Sequence, residues 1–85
     1  MKLNEIENKV RALIAEEIGI DSEKILSSTQ LVKDLGLDSF DVMSLISLLE
    51  TQINREFDEE KLLKLVTFQD VVDLVRQELD KSNSN

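Results

Sequence analysis

Ser39 is the side chain whose neighbours best suit a chemical role. It follows Asp38, lies three residues after Gly36, and precedes an apolar periodic run over residues 42–53. Glycine adopts backbone angles that other residues resist. Asp and Ser are favoured where helices begin, because their side-chain oxygens accept unpaired backbone N–H groups. The pattern therefore predicts that Ser39 lies at a loop-to-helix junction, with its hydroxyl at the surface.

A helix beginning at Ser39 would favour a phosphate group at that position. The N-terminus of a helix carries partial positive charge and N–H donors without intrahelical partners. The alternative is that the Asp38–Ser39 pair serves only as a helix cap. Both interpretations are compatible with the pair taken alone.

The composition removes most other kinds of chemistry. The 85 residues contain no Cys and no His, so they provide no disulfide, no thiolate nucleophile and no imidazole base. Asp34 and Asp38 are spaced like paired acid–base carboxylates, but no other residue type converges on them. The Asp, Asn and Gly spacing of a calcium-binding EF-hand is also missing. The sequence therefore predicts neither an enzyme nor a metal site, and any thiol must come from an attached group.

The charge of the chain restricts its partners. Ten basic residues against eighteen acidic ones give a net charge of −8. This charge argues against nucleic acid as a partner and favours basic partner surfaces. The first residues are charged and lack an apolar signal segment, and no run is long enough to span a membrane. We expect a cytoplasmic monomer that binds neither nucleic acid nor membrane.

The elements that must position Ser39 are predicted to be helices. Apolar residues at three- and four-residue steps predict a first helix over residues 4–18, ended by Gly19. The second helix is expected over residues 39–54, and a short third helix lies within residues 57–66. The fourth helix begins at Thr67, which forms a capping box with Asp70. The charged residues of the first helix are expected to be solvated: Lys9, Arg11, Glu16 and Glu17.

These elements predict an all-α fold, a small four-helix bundle with a long loop between helices one and two and a short third helix. One domain covers residues 1–80, and residues 81–85 form a frayed C-terminal tail. The loop of twenty residues is unusually long for a compact domain. Apolar side chains are expected to hold the loop on the core, namely Ile20, Ile25, Leu31, Val32, Leu35 and Leu37. The third helix is expected to contribute Leu62, Leu63, Leu65 and Val66.

The second helix is apolar on two sides. At 100° per residue, one side faces the core with Val42, Leu45, Ile46, Leu49 and Ile53. The opposite side carries Phe40, Ser44, Ser47 and Thr51, with Met43 close by. Phe40 and Met43 either pack against the long loop or the third helix, or form an exposed docking stripe beside Ser39.

Two strings resemble the acyl carrier protein family. They are Asp-Leu-Gly-Leu-Asp-Ser-Phe at residues 34–40 and Thr-Phe-Gln-Asp-Val-Val-Asp-Leu-Val at residues 67–75. The resemblance runs from about Ile6 to Leu79. It implies that Ser39 carries 4′-phosphopantetheine through a phosphodiester bond, with Asp38 and Gly36 as further cofactor-site residues. It also implies an acyl cargo, held as a thioester in an apolar slot between helices.

The implied partners are a phosphopantetheinyl transferase and enzymes of fatty-acid or related biosynthesis with basic or apolar docking surfaces. The residues expected to bind them are Phe40, Asp41, Met43, Ser44, Ser47 and Glu50. The second helix departs from fatty-acid carriers, whose outer face is strongly acidic and which usually have Leu at the position of Phe40. Asp-Ser-Phe recurs in carriers of D-alanine and other specialised cargo. An aminoacyl or peptidyl carrier, or an unmodified helical interaction module, therefore remains an alternative.

Overall fold

The computed structural model describes residues 3–83, with side-chain surroundings for residues 4–81. Its helices are α1 (Leu3–Ile18), α2 (Ser39–Ile53), α3 (Glu59–Leu62) and α4 (Phe68–Asn83), and a 3-10 turn at Ser22–Lys24 interrupts the long loop. Over this range the only strand-like pairing is an isolated antiparallel bridge between Gln30 and Thr67. The prediction of a four-helix, all-α fold with a long first loop and a short third helix is confirmed.

Gly19 ends α1, as predicted. Its φ is +75°, in the left-handed region that glycine enters without a steric penalty. In this geometry the N–H groups of Gly19 and Ile20 both donate to the carbonyl of Ala15, at 2.9 and 3.0 Å. The chain can therefore turn sharply out of the helix and begin the long loop.

The core is built by α1, the long loop, α2 and α4. The largest fully buried side chains come from all four of these segments: Phe68, Ile14, Ile25, Leu31, Ile46, Leu49 and Val72. The predicted inner face of α2 is confirmed, because Leu45, Ile46 and Leu49 are buried while Val42 and Ile53 pack against the core from its edge. A loop that supplies core residues is held in place by the same burial that stabilises the helices.

Three residues predicted to be in the core are exposed. The prediction was wrong for Val32, Leu63 and Val66, and Leu63 is 88% exposed. Helix α3 ends at Leu62 after a single turn, so the residues that follow it do not share one helical face. Leu62 and Leu65 pack against the core, whereas Leu63 and Val66 are exposed. In the long loop, Leu31 takes the buried position and leaves Val32 on the outer side.

Arg11 does not behave as a solvated charge, which corrects the expectation for α1. Its Nε donates to the carbonyl of Ile25 at 2.8 Å, and its Nη2 pairs with Glu7 at 2.9 Å. Its guanidinium also lies 4.9 Å from the centre of the Phe68 ring, within the range of a cation–π contact. One side chain of α1 therefore holds both the long loop and the start of α4.

The capping box at the start of α4 is confirmed. The Asp70 Oδ2 accepts hydrogen bonds from the N–H groups of Thr67 (3.0 Å) and Val66 (2.9 Å), and the Thr67 hydroxyl accepts from the Asp70 N–H (3.2 Å). At its other end α4 continues through Asn83, into the segment predicted as a frayed tail. Residues 84 and 85 of that tail lie outside the described residues, so the division at residue 80 stays a prediction.

The Asp70 box predicts a specific loss of stability in acid. The Thr67 N–H holds the pKa of the Asp70 carboxyl below its ordinary value; burial opposes this, and the Val66 N–H and the Thr67 hydroxyl reinforce it. Because the pKa is lower in the folded state, the stabilisation is complete above the unfolded value of about 4 and is lost as pH falls through the folded value. Asp70→Asn should therefore lose less unfolding free energy than the wild type when pH is lowered from about 5 to about 3. Urea unfolding at each pH measures this, and parallel curves for the two proteins would contradict it.

Candidate functional site

Ser39 is the first residue of α2 and is exposed. The helix is capped by Asp38, whose Oδ1 accepts the Asp41 N–H at 2.8 Å, while the Asp41 Oδ2 accepts the Asp38 N–H at 3.1 Å. No hydrogen bond from the Ser39 hydroxyl is found among the described residues. Because the cap is Asp38 and its box is closed by Asp41, the hydroxyl of Ser39 is left free of a structural task.

The turn before Ser39 depends on Gly36. Gly36 has φ +70°, and its N–H donates to the Val32 carbonyl at 3.0 Å. The N–H of the buried Leu37 then donates to the Leu31 carbonyl at 3.2 Å. A Cβ on Gly36 would meet no atom within 4 Å, so the need for glycine is conformational rather than one of space. The turn delivers Asp38 and Ser39 to the surface from a buried anchor.

The backbone around Ser39 suits a phosphate ester on its hydroxyl. The first N–H groups of a helix lack intrahelical acceptors. At the start of α2, Asp38 takes the N–H of Asp41, and the described residues offer no acceptor to the N–H groups of Ser39 and Phe40. These donors and the positive end of the helix dipole are the features that favour phosphate. The donor set therefore fits the phosphodiester that the sequence implied.

The outer side of α2 forms an exposed stripe next to Ser39. Phe40 is 77% exposed and Met43 is 49% exposed, and Ser44 and Ser47 are exposed as well. The alternative that Phe40 packs against the loop or the third helix is therefore wrong. Met43 is half-covered, between the two interpretations. Binding of partners by these residues stays a prediction.

The two acidic residues of this side are engaged within the chain. Asp41 closes the Asp38 box, and the half-buried Glu50 accepts the Phe57 N–H through its Oε2 at 2.9 Å. The Glu50 carbonyl also accepts the N–H groups of Asn54 and Arg55, where α2 ends with Asn54 at φ 56°. From the sequence, Asp41 and Glu50 were both predicted to bind partners, and this stays a prediction. In the structure, Asp41 stabilises the beginning of α2 and Glu50 stabilises its end.

Asp34 and Asp38 do not converge as an acid–base pair. The Asp34 Oδ2 accepts the Gln30 N–H at 2.7 Å, whereas Asp38 faces Asp41. Within residues 3–83, no group of three or more Asp, Glu, His or Cys residues is arranged to hold a metal ion. None of the helices described over that range has the length and apolar character needed to cross a membrane.

Two concave surfaces are relevant to an attached chain. A groove of about 410 Å³ lies beside Phe40, between the end of α1 and the start of α2. A mostly apolar cleft of about 360 Å³ lies between α1, α4 and the far half of α2, with Leu49 and Ile53 in its wall. At 1.5 Å per residue, Ile53 is about 21 Å along the helix from Ser39. The cleft lies between helices, as the slot implied by the resemblance would, but its use by an acyl chain stays a prediction.

Comparisons with known proteins agree on one family. A family model described as a phosphopantetheine attachment site matches residues 8–75, a range that contains Ser39. The acyl carrier protein of Thermosynechococcus vestitus is 35% identical over 79 residues, which cover 93% of this chain and 98% of that protein. A solved structure from Mycobacterium tuberculosis, assigned as an acyl carrier protein, matches with a TM-score of 0.80 at 27% identity. That match covers 86% of this chain and 97% of the other.

Proposed function

The chain belongs to the family of phosphopantetheine-binding carrier proteins, and we propose that it carries acyl groups as thioesters on a 4′-phosphopantetheine attached to Ser39. The attached group supplies a thiol, which the chain cannot provide because it contains no Cys. The chain itself is then no catalyst. It holds the attachment site at the surface and presents the cargo to successive enzymes, and the tether raises the local concentration of the thioester.

The observation that carries this proposal is the state of Ser39. Ser39 is exposed at the start of α2, and Asp38, not Ser39, caps the helix. An enzyme that transfers phosphopantetheine needs an accessible hydroxyl, and modification of that hydroxyl must not unfold the protein. The N–H groups of Ser39 and Phe40, for which the described residues offer no acceptor, favour the charged phosphodiester after transfer. Gly36 and Asp38 act as the residues that shape and cap this site.

The proposed partners follow from charge and from the exposed stripe of α2. They are a phosphopantetheinyl transferase and acyl-transferring enzymes of fatty-acid or related biosynthesis, working in the cytoplasm. The net charge of −8 favours encounter with basic surfaces, while Phe40 and Met43 favour an apolar contact. A monomer is proposed, since an attachment site at the end of a helix must be open to several enzymes in turn.

A second candidate is a carrier of aminoacyl or peptidyl cargo. It is favoured by the composition of the exposed stripe, which contains Ser44, Ser47 and Thr51, whereas the resemblance implies a strongly acidic outer face for fatty-acid carriers. The carboxylates that do occur, Asp41 and Glu50, bind backbone N–H groups of the chain itself. Such a stripe presents less charge to a partner than the total charge of the protein suggests.

The test begins with expression alongside a phosphopantetheinyl transferase and measurement of the intact mass. A gain of one phosphopantetheine, mapped to the peptide that contains Ser39, is the expected result. The loaded species isolated from its native cells is then fragmented to identify the cargo. Fatty-acyl masses favour the first function and aminoacyl masses the second. A chain that gains no mass would be an unmodified interaction module, and both carrier proposals would be wrong.

Phe40→Ala is expected to lower kcat/KM for transfer from the loaded arm about tenfold, since exposed aromatic anchors carry much of the energy of protein interfaces. Asp41→Asn and Glu50→Gln should have smaller effects, because an amide oxygen can still accept the backbone N–H that each carboxylate binds. The measurement is steady-state kinetics with the enzyme that unloads the arm.

The same kinetics should depend only modestly on salt. Between roughly 50 and roughly 500 mM salt, the range of charge interactions falls from above 10 Å to well below it. A steep loss of kcat/KM over this range, with Phe40→Ala close to wild type, would show that the charge of −8 selects the partner instead.

A further inference from the structure

We propose that Asp34 is a positioning residue for the modification of Ser39, acting through the backbone of the turn that leads to it. This inference rests on the proposed attachment at Ser39. Asp34 belongs to the same string as Ser39, but it is five residues away along the chain. The structure gives it a role that a simple acidic surface residue would not have.

Asp34 closes a turn on Gln30 from both directions. The Gln30 N–H donates to the Asp34 Oδ2 at 2.7 Å, and the Asp34 N–H donates to the Gln30 carbonyl at 2.9 Å. The Leu35 N–H shares that carbonyl at 3.2 Å. The side chain therefore ties the end of the turn to its beginning.

The beginning of the turn is anchored on α4. Gln30 forms the antiparallel bridge with Thr67, and the Leu31 N–H donates to the Val66 carbonyl at 2.9 Å. The Thr29 carbonyl accepts the N–H of Phe68 at 2.8 Å, and the ring of Phe68 is fully buried. The segment that Asp34 holds is thus fastened by hydrogen bonds to the start of α4, where the ring of Phe68 is buried in the core.

The end of the turn leads directly to Ser39. After Asp34, the N–H groups of Gly36 and Leu37 donate back to Val32 and Leu31, and the Asp38 cap follows. Because these contacts are backbone hydrogen bonds, the position of Ser39 depends on the position of Gln30. Without the Asp34 side chain, the turn keeps its backbone bonds but samples more conformations in which Ser39 is displaced.

Among the described residues, the geometry of the Asp34 side chain has a structural partner and its charge has none. No ion pair to Asp34 is found among the described residues, although Lys33 is its neighbour in sequence. What the fold uses is an oxygen at the correct distance from the Gln30 N–H. Asparagine offers such an oxygen without charge, and glutamate keeps the charge but moves the oxygens by one methylene. These two variants separate positioning from electrostatic docking.

The experiment is the modification of purified unmodified chain by a phosphopantetheinyl transferase with coenzyme A. Asp34→Ala should raise KM for the chain about three- to tenfold with kcat unchanged, because only a fraction of molecules then present Ser39 correctly. Asp34→Asn should restore the wild-type KM, and Asp34→Glu should not. Asp21→Ala is the matched control: it removes one exposed carboxylate, and Asp21 makes no side-chain capping bond, so its KM should equal that of the wild type. Amide exchange should quicken at Gln30 in Asp34→Ala and stay slow at Phe68.

The outcomes distinguish this inference from the proposed function. A wild-type chain that is not modified at all would overturn the function. A modified wild type with Asp34→Ala at the same KM would overturn only the role of Asp34. Rescue by glutamate but not by asparagine would also overturn it, and would assign Asp34 to electrostatic docking. Asp34→Asn and Asp34→Glu both keep a side chain that can accept a hydrogen bond. The comparison of these two variants therefore tests the inference even if Asp34→Ala folds poorly.

Discussion

Ser39→Ala is expected to abolish the gain of phosphopantetheine completely while leaving the fold unchanged. The alanine side chain offers no oxygen for the phosphodiester, and no second nucleophile of the same kind lies in the attachment turn. Ser28→Ala is the matched control, since Ser28 is also exposed and lies outside the residues expected to bind partners, so its loss should leave modification intact. Intact mass after expression with a phosphopantetheinyl transferase measures both.

The structural part of this expectation follows from the cap. Had Ser39 been the N-cap, its replacement would cost about 0.5–2 kcal/mol of stability. The cap is Asp38, closed by Asp41, so Ser39→Ala should change the free energy of unfolding by no more than about 0.5 kcal/mol, as for other exposed sites. Circular dichroism with urea checks this. A pantetheine-sized mass gain on the alanine variant would show that the attachment residue is not Ser39.

Phe68→Ala is expected to lower the free energy of unfolding by about 3–5 kcal/mol, the cost of removing a fully buried aromatic ring. Phe68 has no solvent exposure and lies under the guanidinium of Arg11. The free energy of unfolding of such domains is only about 5–15 kcal/mol, so the variant should be close to unfolding at about 37 °C. Urea unfolding at 25 °C measures the change.

Phe40→Ala is the matched comparison for this variant. It removes the same atoms from a ring that is 77% exposed, so it should change stability by about 0.5 kcal/mol or less. The two variants should therefore have different effects. Phe68→Ala should lower the stability of the fold, and Phe40→Ala should lower the rate of transfer to the partner enzyme. Equal costs of unfolding for both would contradict the assignment of Phe68 to the core.

The sequence alone was sufficient for α1, for the inner face of α2 and for the position of Ser39 at the start of α2. Apolar residues at helical spacing located α1 and the inner face of α2, since a helix in a small domain must bury one face. Gly19 and the Thr67–Asp70 pair marked helix ends, because both act through local backbone geometry. The position of Ser39 at a loop-to-helix junction was predicted in the same way, from its neighbours, and is confirmed, whereas its modification stays a prediction. All of these signals are carried by residues close together in the chain.

Other features depended on contacts between distant segments. Arg11 looked like a surface charge until the long loop placed the Ile25 carbonyl and the Phe68 ring beside it. Leu63 and Val66 were predicted to be core residues, but α3 ends at Leu62, so neither of them lies on a helical face that packs against the core. Periodicity shows that residues share a face; it does not show which faces find a partner.

The role of each carboxylate was also decided only by the tertiary structure. Asp34, Asp38, Asp41 and Glu50 are alike in sequence, yet each accepts a different backbone N–H. Asp38 and Asp41 bind within one helical turn, and the Asp38 cap was among the local possibilities. Glu50 binds Phe57 beyond the end of its helix, and Asp34 closes a turn whose other side is held by α4. A hydrogen bond forms only when donor and acceptor lie within bonding distance. For groups that are far apart in the sequence, that distance is set by the packing of the folded chain.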